Sequence, residues 1–336
     1  VVARLAWLVM TLVLGVGAAQ AGTLERVRDA GAIKCGVSPE APGFSVPDGA
    51  GEWAGLYPGF CRAVAAAVFA DPAKVAFVPV SRGAGFAALR ARKIDILADY
   101  TAWTLSSDVG QNVRFVGALY HEGHGLMVPR RLGVATALEL SGADVCVAKD
   151  SSTAMHVADF FRRNAMPYEL VTFAAQDEAL QAYDAGRCDV YAGRLARLAM
   201  HRDGLSSPDE HIVLGDVVGV EPVGPVVRQG DPRWADIVRW TLFAMIGAEA
   251  LQLTSDTIDD AAASPSPLVR RFAGLDGRLG KRLGLAPNWA ANVVRLVGNY
   301  GELFNRTVGE DGPLGHERRL NRLWRDGGLL SAPFVR

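Results

Sequence analysis

Charge of one sign is what this chain has least of: 35 Lys+Arg stand against 36 Asp+Glu in 336 residues, a formal net charge of -1. No basic field is available to grip phosphates or anionic lipid heads, so nucleic acid drops out as a main partner. Cysteine is scarce, with four in all, and no two stand in a Cys-x-x-Cys pair, which argues against a zinc knuckle or a dithiol redox motif. There is no Gly-x-Ser-x-Gly elbow, no P-loop and no dinucleotide Gly-x-Gly-x-x-Gly after a strand. No catalytic residue and no cofactor is therefore expected. Beyond the N-terminal segment no stretch reaches membrane-spanning length without charges.

What is present describes an ordinary globular protein. Half of the residues are hydrophobic, 21% charged and 8% aromatic, and the length allows roughly two domains. The N-terminus departs from this: Arg4 precedes an apolar run from Leu5 to Val16, followed by small residues ending in Ala19-Gln20-Ala21. That pattern reads as a secretory signal, residues 1–21, cleaved after Ala21, and the run is too short for a membrane anchor. No cysteine sits at the cleavage point to take a lipid, the nearest being Cys35. An exported, soluble protein is expected, and in an oxidising compartment the even cysteine count favours two disulfides. Three pairings are possible. Cys35 and Cys61 lie in one segment and Cys146 and Cys188 in another, so local pairing gives Cys35-Cys61 and Cys146-Cys188, one staple per domain.

Strand and helix patterns then alternate. Leu24 to Ala30 reads as a helix, Ile33 to Val37 as a strand, Val75 to Val80 as a strand, Phe86 to Arg92 as a helix and Ile94 to Leu97 as a strand, with Phe60, Val64, Ala67 and Val68 on one helical face between them. The succession implies a parallel, doubly wound sheet. It restarts after Gly125: strands at Asp144 to Ala148, Tyr168 to Phe173 and Cys188 to Ala192, helices at Ser152 to Arg163 and Asp177 to Ala185. Two prolines near Val220 to Pro225 break the pattern before a long helix carrying Trp234, Ile237, Val238, Trp240 and Met245. If that helix returns to the first sheet, the chain crosses twice between two α/β lobes and leaves a cleft between them. The expected division is lobe 1 at 22–124 and 221–260, lobe 2 at 125–220, and a C-terminal helical extension at 261–336 packed on lobe 1. Ligands in such sheets bind beyond the carboxyl ends of the strands, here the loops near Leu97, Ala148 and Ala192.

Several stretches carry a resemblance: Asn288-Trp289-Ala290-Ala291-Asn292-Val293-Val294, Gly298-Asn299-Tyr300-Gly301-Glu302-Leu303-Phe304, Arg187-Cys188-Asp189-Val190-Tyr191 and Val227-Arg228-Gln229-Gly230-Asp231. From about Thr23 to the C-terminus the chain resembles the general L-amino-acid-binding periplasmic proteins, family 3 solute-binding proteins of polar-amino-acid ABC importers. The resemblance implies a type II periplasmic-binding-protein fold, two doubly wound sheets joined by two hinge strands, a periplasmic location, a membrane ABC permease as partner and a monomeric receptor that captures a small amino acid or related carboxylate. In the family, a first-lobe loop carries Thr-rich residues and an Arg for the ligand's α-carboxylate; here the loop runs Asp99, Tyr100, Thr101, Ala102, Trp103 to Ser107, with Ala102 replacing a hydroxyl and Ser107 at the clamp position. The second lobe's hydroxyl-rich turn reads Asp150-Ser151-Ser152-Thr153, whose hydroxyls can cap a helix or meet the ligand. The position that receives the α-ammonium in the family, five after Asp189, is Arg194.

A buried unpaired charge costs about 3–5 kcal/mol, so a zwitterion in the family's pose is disfavoured by both departures. Three readings of Arg194 follow: it holds the carboxylate of a reversed ligand while Asp99 takes the amine, it holds a carboxylate that has no amine, or it points to solvent beside a dead pocket. Phe44, Tyr100 and Trp103 are candidates to line the cleft, with core packing the stronger reading of Trp103. His121-Glu122-Gly123-His124 lacks the i,i+4 histidine spacing of a helical zinc site and reads as a solvated hinge segment, so no metal is expected. Two other functions share this fold: a sensory protein with a repurposed pocket, and an enzyme like the cyclohexadienyl dehydratases, for which Asp99 and Glu40 are the carboxylates in position.

Overall fold

The computed structural model describes residues 22–39, 42–47, 52–81 and 83–335. The signal-sequence reading of residues 1–21 and the carboxylate of Glu40 lie outside them. Helix α1 (Thr23–Ala30) buries Leu24 and Val27 and ends at Gly31 in the left-handed conformation. Strand β1 (Ile33–Val37) is followed by a hairpin of β2 (Val46–Pro47) and β3 (Trp53–Ala54) and by α2 (Leu56–Phe69). Then come β4 (Val75–Pro79), α3 (Gly85–Arg90), β5 (Ile96–Leu97), the single-turn α4 (Leu105–Asp108), β6 (Val113–Phe115) and the ten-residue β7 (Tyr120–Pro129). Lobe 2 adds β8 (Ala143–Ala148), α5 (Ser152–Arg163), β9 (Tyr168–Phe173), α6 (Gln176–Asp184), β10 (Val190–Arg194), α7 (Leu195–Asp203) and β11 (His211–Val213). The chain returns through β12 (Gly219–Val223) and β13 (Val226–Arg228) to α8 (Pro232–Ala250), and ends in α9 (Pro267–Phe272), α10 (Leu279–Leu283), α11 (Trp289–Val297) and α12 (Tyr300–Thr307).

The strands form one five-stranded sheet in the order β4-β1-β5-β13-β6 and one of six in the order β11-β7-β10-β8-β9, with β12 paired to β7. β1 runs parallel to β4 and β5, and β8 parallel to β9 and β10, as expected of strands whose connections are helical. β7 and β12 are antiparallel neighbours, with Glu221 opposite Glu122 and Gly219 opposite His124. These two strands carry the chain between the lobes, and the divisions expected at 124/125 and 220/221 fall inside them.

Helix α2 is apolar almost all round, with Tyr57, Phe60, Cys61 and Ala63 to Ala67 buried. Such a helix needs cover on every side. The sheet supplies one side and α11, from the C-terminal extension, another. α12 opens with a capping box between Asn299 and Glu302 and places the Tyr300 hydroxyl 2.8 Å from the Leu119 carbonyl, which accepts its hydrogen bond. Farther on, the Arg318 guanidinium pairs with Glu249 and lies 5.4 Å from the ring centres of Tyr300 and Phe304. The Asn321 amide bonds both backbone groups of His121, accepting from its N–H at 2.7 Å and donating to its carbonyl at 3.0 Å. The extension therefore reaches past lobe 1 to the crossing strand.

Cys35 is bonded to Cys61, tying β1 to α2, and Cys146 to Cys188, tying β8 to the turn before β10. Just after β12 the backbone runs so close to itself that a Cβ on Gly224 would lie 1.8 Å from the Gly117 carbonyl oxygen. Backbone cannot give way as a flexible side chain can. Gly224→Ala is expected to lower unfolding free energy by roughly 1–3 kcal/mol, read as a lower urea midpoint; an unchanged midpoint would show that the two segments separate freely.

Two sequence expectations need correction. The His121–His124 segment is not solvated: Glu122 and His124 are completely buried in β7, because β12 pairs on one side and β10 on the other. Trp103 is not core: it is 36% exposed, stacked on Phe115 with ring centres 5.6 Å apart.

Candidate ligand cleft

Lobe 2 presents a cavity of about 210 Å³ at the carboxyl ends of β8 and β10, lined by Ser151, Ser152, Thr153, Gln176, Arg194 and Arg197 among others. Ser151 is the N-cap of α5: its hydroxyl accepts from the Ala154 N–H at 3.1 Å and donates to the Ala148 carbonyl at 2.7 Å. The N–H groups of Ser152 and Thr153, in the first turn, have no carbonyl four residues back within the helix to accept them. They add partial positive charge to a cavity that already holds two guanidinium groups.

Arg194 ends β10 and points between the lobes. Its guanidinium lies 4.7 Å from the ring centre of Tyr100, which belongs to lobe 1, and its Nη2 is 3.7 Å from Glu221 Oε2. Glu221 also accepts from the Ser152 hydroxyl at 3.0 Å. Burial raises its pKa, but contacts with His124, Arg194 and Ser152 outweigh that and hold the carboxyl below its usual range. Glu122 is the opposite case: burial dominates and pushes it up to about 7, against a hydrogen bond from the Ala196 N–H and the pull of Arg194 and Arg197. Arg194 and Arg197 thus bring two cations to the cavity, and Glu221 is held in its charged form beside Arg194.

The lobe 1 candidates are placed as follows. Asp99 is buried and accepts from the Thr101 hydroxyl at 2.5 Å. Ala102 bridges to Val223 and the Trp103 N–H donates to the Pro222 carbonyl at 2.8 Å, which fastens the loop to the end of β12. Ser107 serves its own turn, completing a capping box with Thr104 and donating to the Ala102 carbonyl at 2.9 Å. Phe44 is fully buried and meets Tyr100 edge-on at 5.3 Å, so it acts as the backing of that ring. The Tyr100 hydroxyl is buried with no hydrogen-bond partner among the described residues. The structure thus brings Tyr100 and Arg194 together across the cleft and leaves Ser107 occupied locally.

Sequence reasoning missed Gln176, Arg197, Glu122 and Glu221. Arg197 follows Arg194 by three residues and so emerges on the same side at the start of α7, a spacing that was available to find it. Glu221 is brought to Arg194 only by the pairing of β12 with β7 and of β7 with β10.

The profile of the bacterial extracellular solute-binding proteins, family 3, matches residues 33–256. This chain belongs to that family. It is 45% identical to the general L-amino acid-binding periplasmic protein AapJ of Rhizobium johnstonii, across 97% of this chain and 96% of that one. Identity is 40% with the glutamate/glutamine/aspartate/asparagine-binding protein BztA of Rhodobacter capsulatus, across 95% of each. A solved ABC transporter periplasmic binding protein from Brucella ovis, with glutathione bound, superposes with a TM-score of 0.79 at 40% identity, covering 94% of this chain and all of that one. The fold is the type II periplasmic-binding-protein fold, and the chain is a solute-binding protein, as these relatives are named, and not an enzyme. Membership carries with it a periplasmic location and a membrane permease as partner.

Proposed function

We propose that this protein is the periplasmic receptor of an amino-acid-type ABC importer whose ligand is an amino acid or small amino-acid derivative held by its carboxylate in lobe 2. The observation that carries the reading is the cavity at the N-terminus of α5, where Arg194 and Arg197 stand with the first-turn N–H groups. A guanidinium fork and a helix N-terminus both select a carboxylate. The relatives support the amino-acid class: AapJ and BztA are named for amino acids, and the Brucella ovis protein holds glutathione, which has two carboxylates. Arg194 faces both the cavity and the Tyr100 ring, so carboxylate capture in lobe 2 and contact with lobe 1 share one side chain, and closure of the lobes follows from the ligand's contacts with each. Removal of residues 1–21 after Ala21 and a monomeric state in the periplasm belong to the same proposal.

A thermal-shift screen of the mature protein against the twenty L-amino acids, glutathione and amine-free mono- and dicarboxylates tests it. A ligand at about 100 times its Kd adds roughly 2.7 kcal/mol of stability. The expected result is stabilisation by anionic members of the panel, with lysine and arginine the weakest of the amino acids. Preferential stabilisation by those two cations would overturn the reading.

A further inference from the structure

A second constellation shares the wall of the cavity but is not part of it. His124 on β7, Glu221 on β12 and His156 on α5 each bring one nitrogen or oxygen within 4.8 Å of those of the other two. His124 is completely buried, and its Nε2 has no hydrogen-bond partner; it faces Glu221 Oε2 at 3.6 Å, beyond hydrogen-bond reach. The two imidazole rings are 4.6 Å apart between centres and tilted by 31°.

We infer that His124, His156 and Glu221 form a site for a divalent transition-metal ion of the zinc type at the base of the interlobe cleft. Two imidazoles and one carboxylate are a donor set that suits zinc and leaves a fourth position open. The supporting contacts are those of a ligand set held from behind. The Nδ1 of His124 is bonded to the Thr153 hydroxyl at 2.9 Å, which leaves Nε2 for the metal, and Glu221 is fixed by the Ser152 hydroxyl at 3.0 Å. Gly219, opposite His124, completes the enclosure: a Cβ there would lie 2.3 Å from the His156 ring, so the ring occupies the space a side chain would take. Ligand atoms about 2.0–2.2 Å from zinc in a tetrahedral arrangement are roughly 3.3 Å apart, so the donors, now within 4.8 Å of one another, must draw in by up to about 1.5 Å. His156, the less buried of the two imidazoles, is the ligand that makes the larger part of that move.

The charges facing the site are Glu221, Glu122, Arg194, Arg197 and, near His156, Asp159. Of these, Arg194 competes directly, because it pairs with the same Oε2 of Glu221. A metal on Glu221 displaces Arg194 from that carboxylate and leaves the guanidinium to the cleft and Tyr100. Metal and Arg194 are thus antagonists at Glu221, and the metal is linked to the ligand cavity through that one side chain.

The test is calorimetric titration of tag-free, chelator-stripped mature protein with zinc chloride. One equivalent is expected to bind saturably. His156→Asn, which alters a partly exposed ring and leaves the fold's thermal midpoint in chelator near that of the wild type, is expected to weaken binding more than about tenfold, as is Glu221→Gln. Arg194→Ala is expected to tighten it. His201→Asn, on α7 and hydrogen-bonded to Tyr191, is expected to leave it unchanged. Absence of saturable zinc binding, or binding that survives both His156→Asn and Glu221→Gln, would overturn the inference and leave a buried imidazole–carboxylate pair without a metal.

Discussion

Arg194→Ala is expected to raise the Kd for the carboxylate ligand by roughly 10²–10³, measured by calorimetry on the best ligand of the screen. Removing one partner of a buried charge pair costs about 3–5 kcal/mol, and each 1.4 kcal/mol is about tenfold in Kd. The Arg194 side chain is only 25% exposed and lies against Tyr100, so a carboxylate bound to it is drawn out of water as well. Arg194→Lys is expected to recover only part of the loss, because an ammonium lacks the planar fork for bidentate recognition. Arg197→Ala is expected to have a smaller effect in the same direction, and the two substitutions together should not add, since both act on one cavity. A Kd unchanged in Arg194→Ala would place the ligand elsewhere in the cleft.

The second large effect concerns lobe 2. Replacing Cys146 and Cys188 together by alanine is expected to lower its unfolding free energy by about 4 kcal/mol, the chain-entropy value for a cross-link spanning 42 residues. For Cys35 and Cys61, spanning 26, the same relation gives about 3.5 kcal/mol. The bond from β8 to the turn before β10 holds the two strands whose ends carry Ala148 and Arg194, so ligand affinity is expected to fall with stability in the first variant. Urea unfolding of each double variant, with and without ligand, measures both effects. A Cys146/Cys188 variant with the wild-type midpoint would mean that the staple adds nothing to the folded lobe.

How far the sequence disclosed this depends on the kind of contact. β1, α5 and β9 are legible because each is a local pattern with its own stop signals: Ile33 to Val37 ends before a polar turn, Ser151 caps α5 directly, and Tyr168 to Phe173 lies between two turns. The candidate site was legible in part. Arg194 stood out because a cation occupies a position where the resembling family has an acid. Its partners did not stand out: Glu221 is 27 positions away and reaches Arg194 only after two strand pairings, and the burial of Glu122 and His124 follows from the crossing strands lying side by side. Ser107 shows the reverse. A hydroxyl at the clamp position invites a ligand role, yet one turn of helix at Leu105–Asp108 needs a cap, and Thr104 with Ser107 supplies it. The Arg318 and Asn321 contacts of the extension were beyond reach as well, since Asn321 meets His121 across 200 residues.

The central claim is that the ligand's carboxylate is held in lobe 2 by Arg194 and the N-terminus of α5. A crystal structure of the mature protein with the most stabilising ligand tests this most directly. The account predicts a carboxylate whose oxygens lie within hydrogen-bond distance of the Arg194 guanidinium and of the Ser152 or Thr153 N–H, with the Tyr100 ring closed over the other side. A ligand bound in the cleft with its carboxylate on lobe 1 and Arg194 still paired to Glu221 would contradict it.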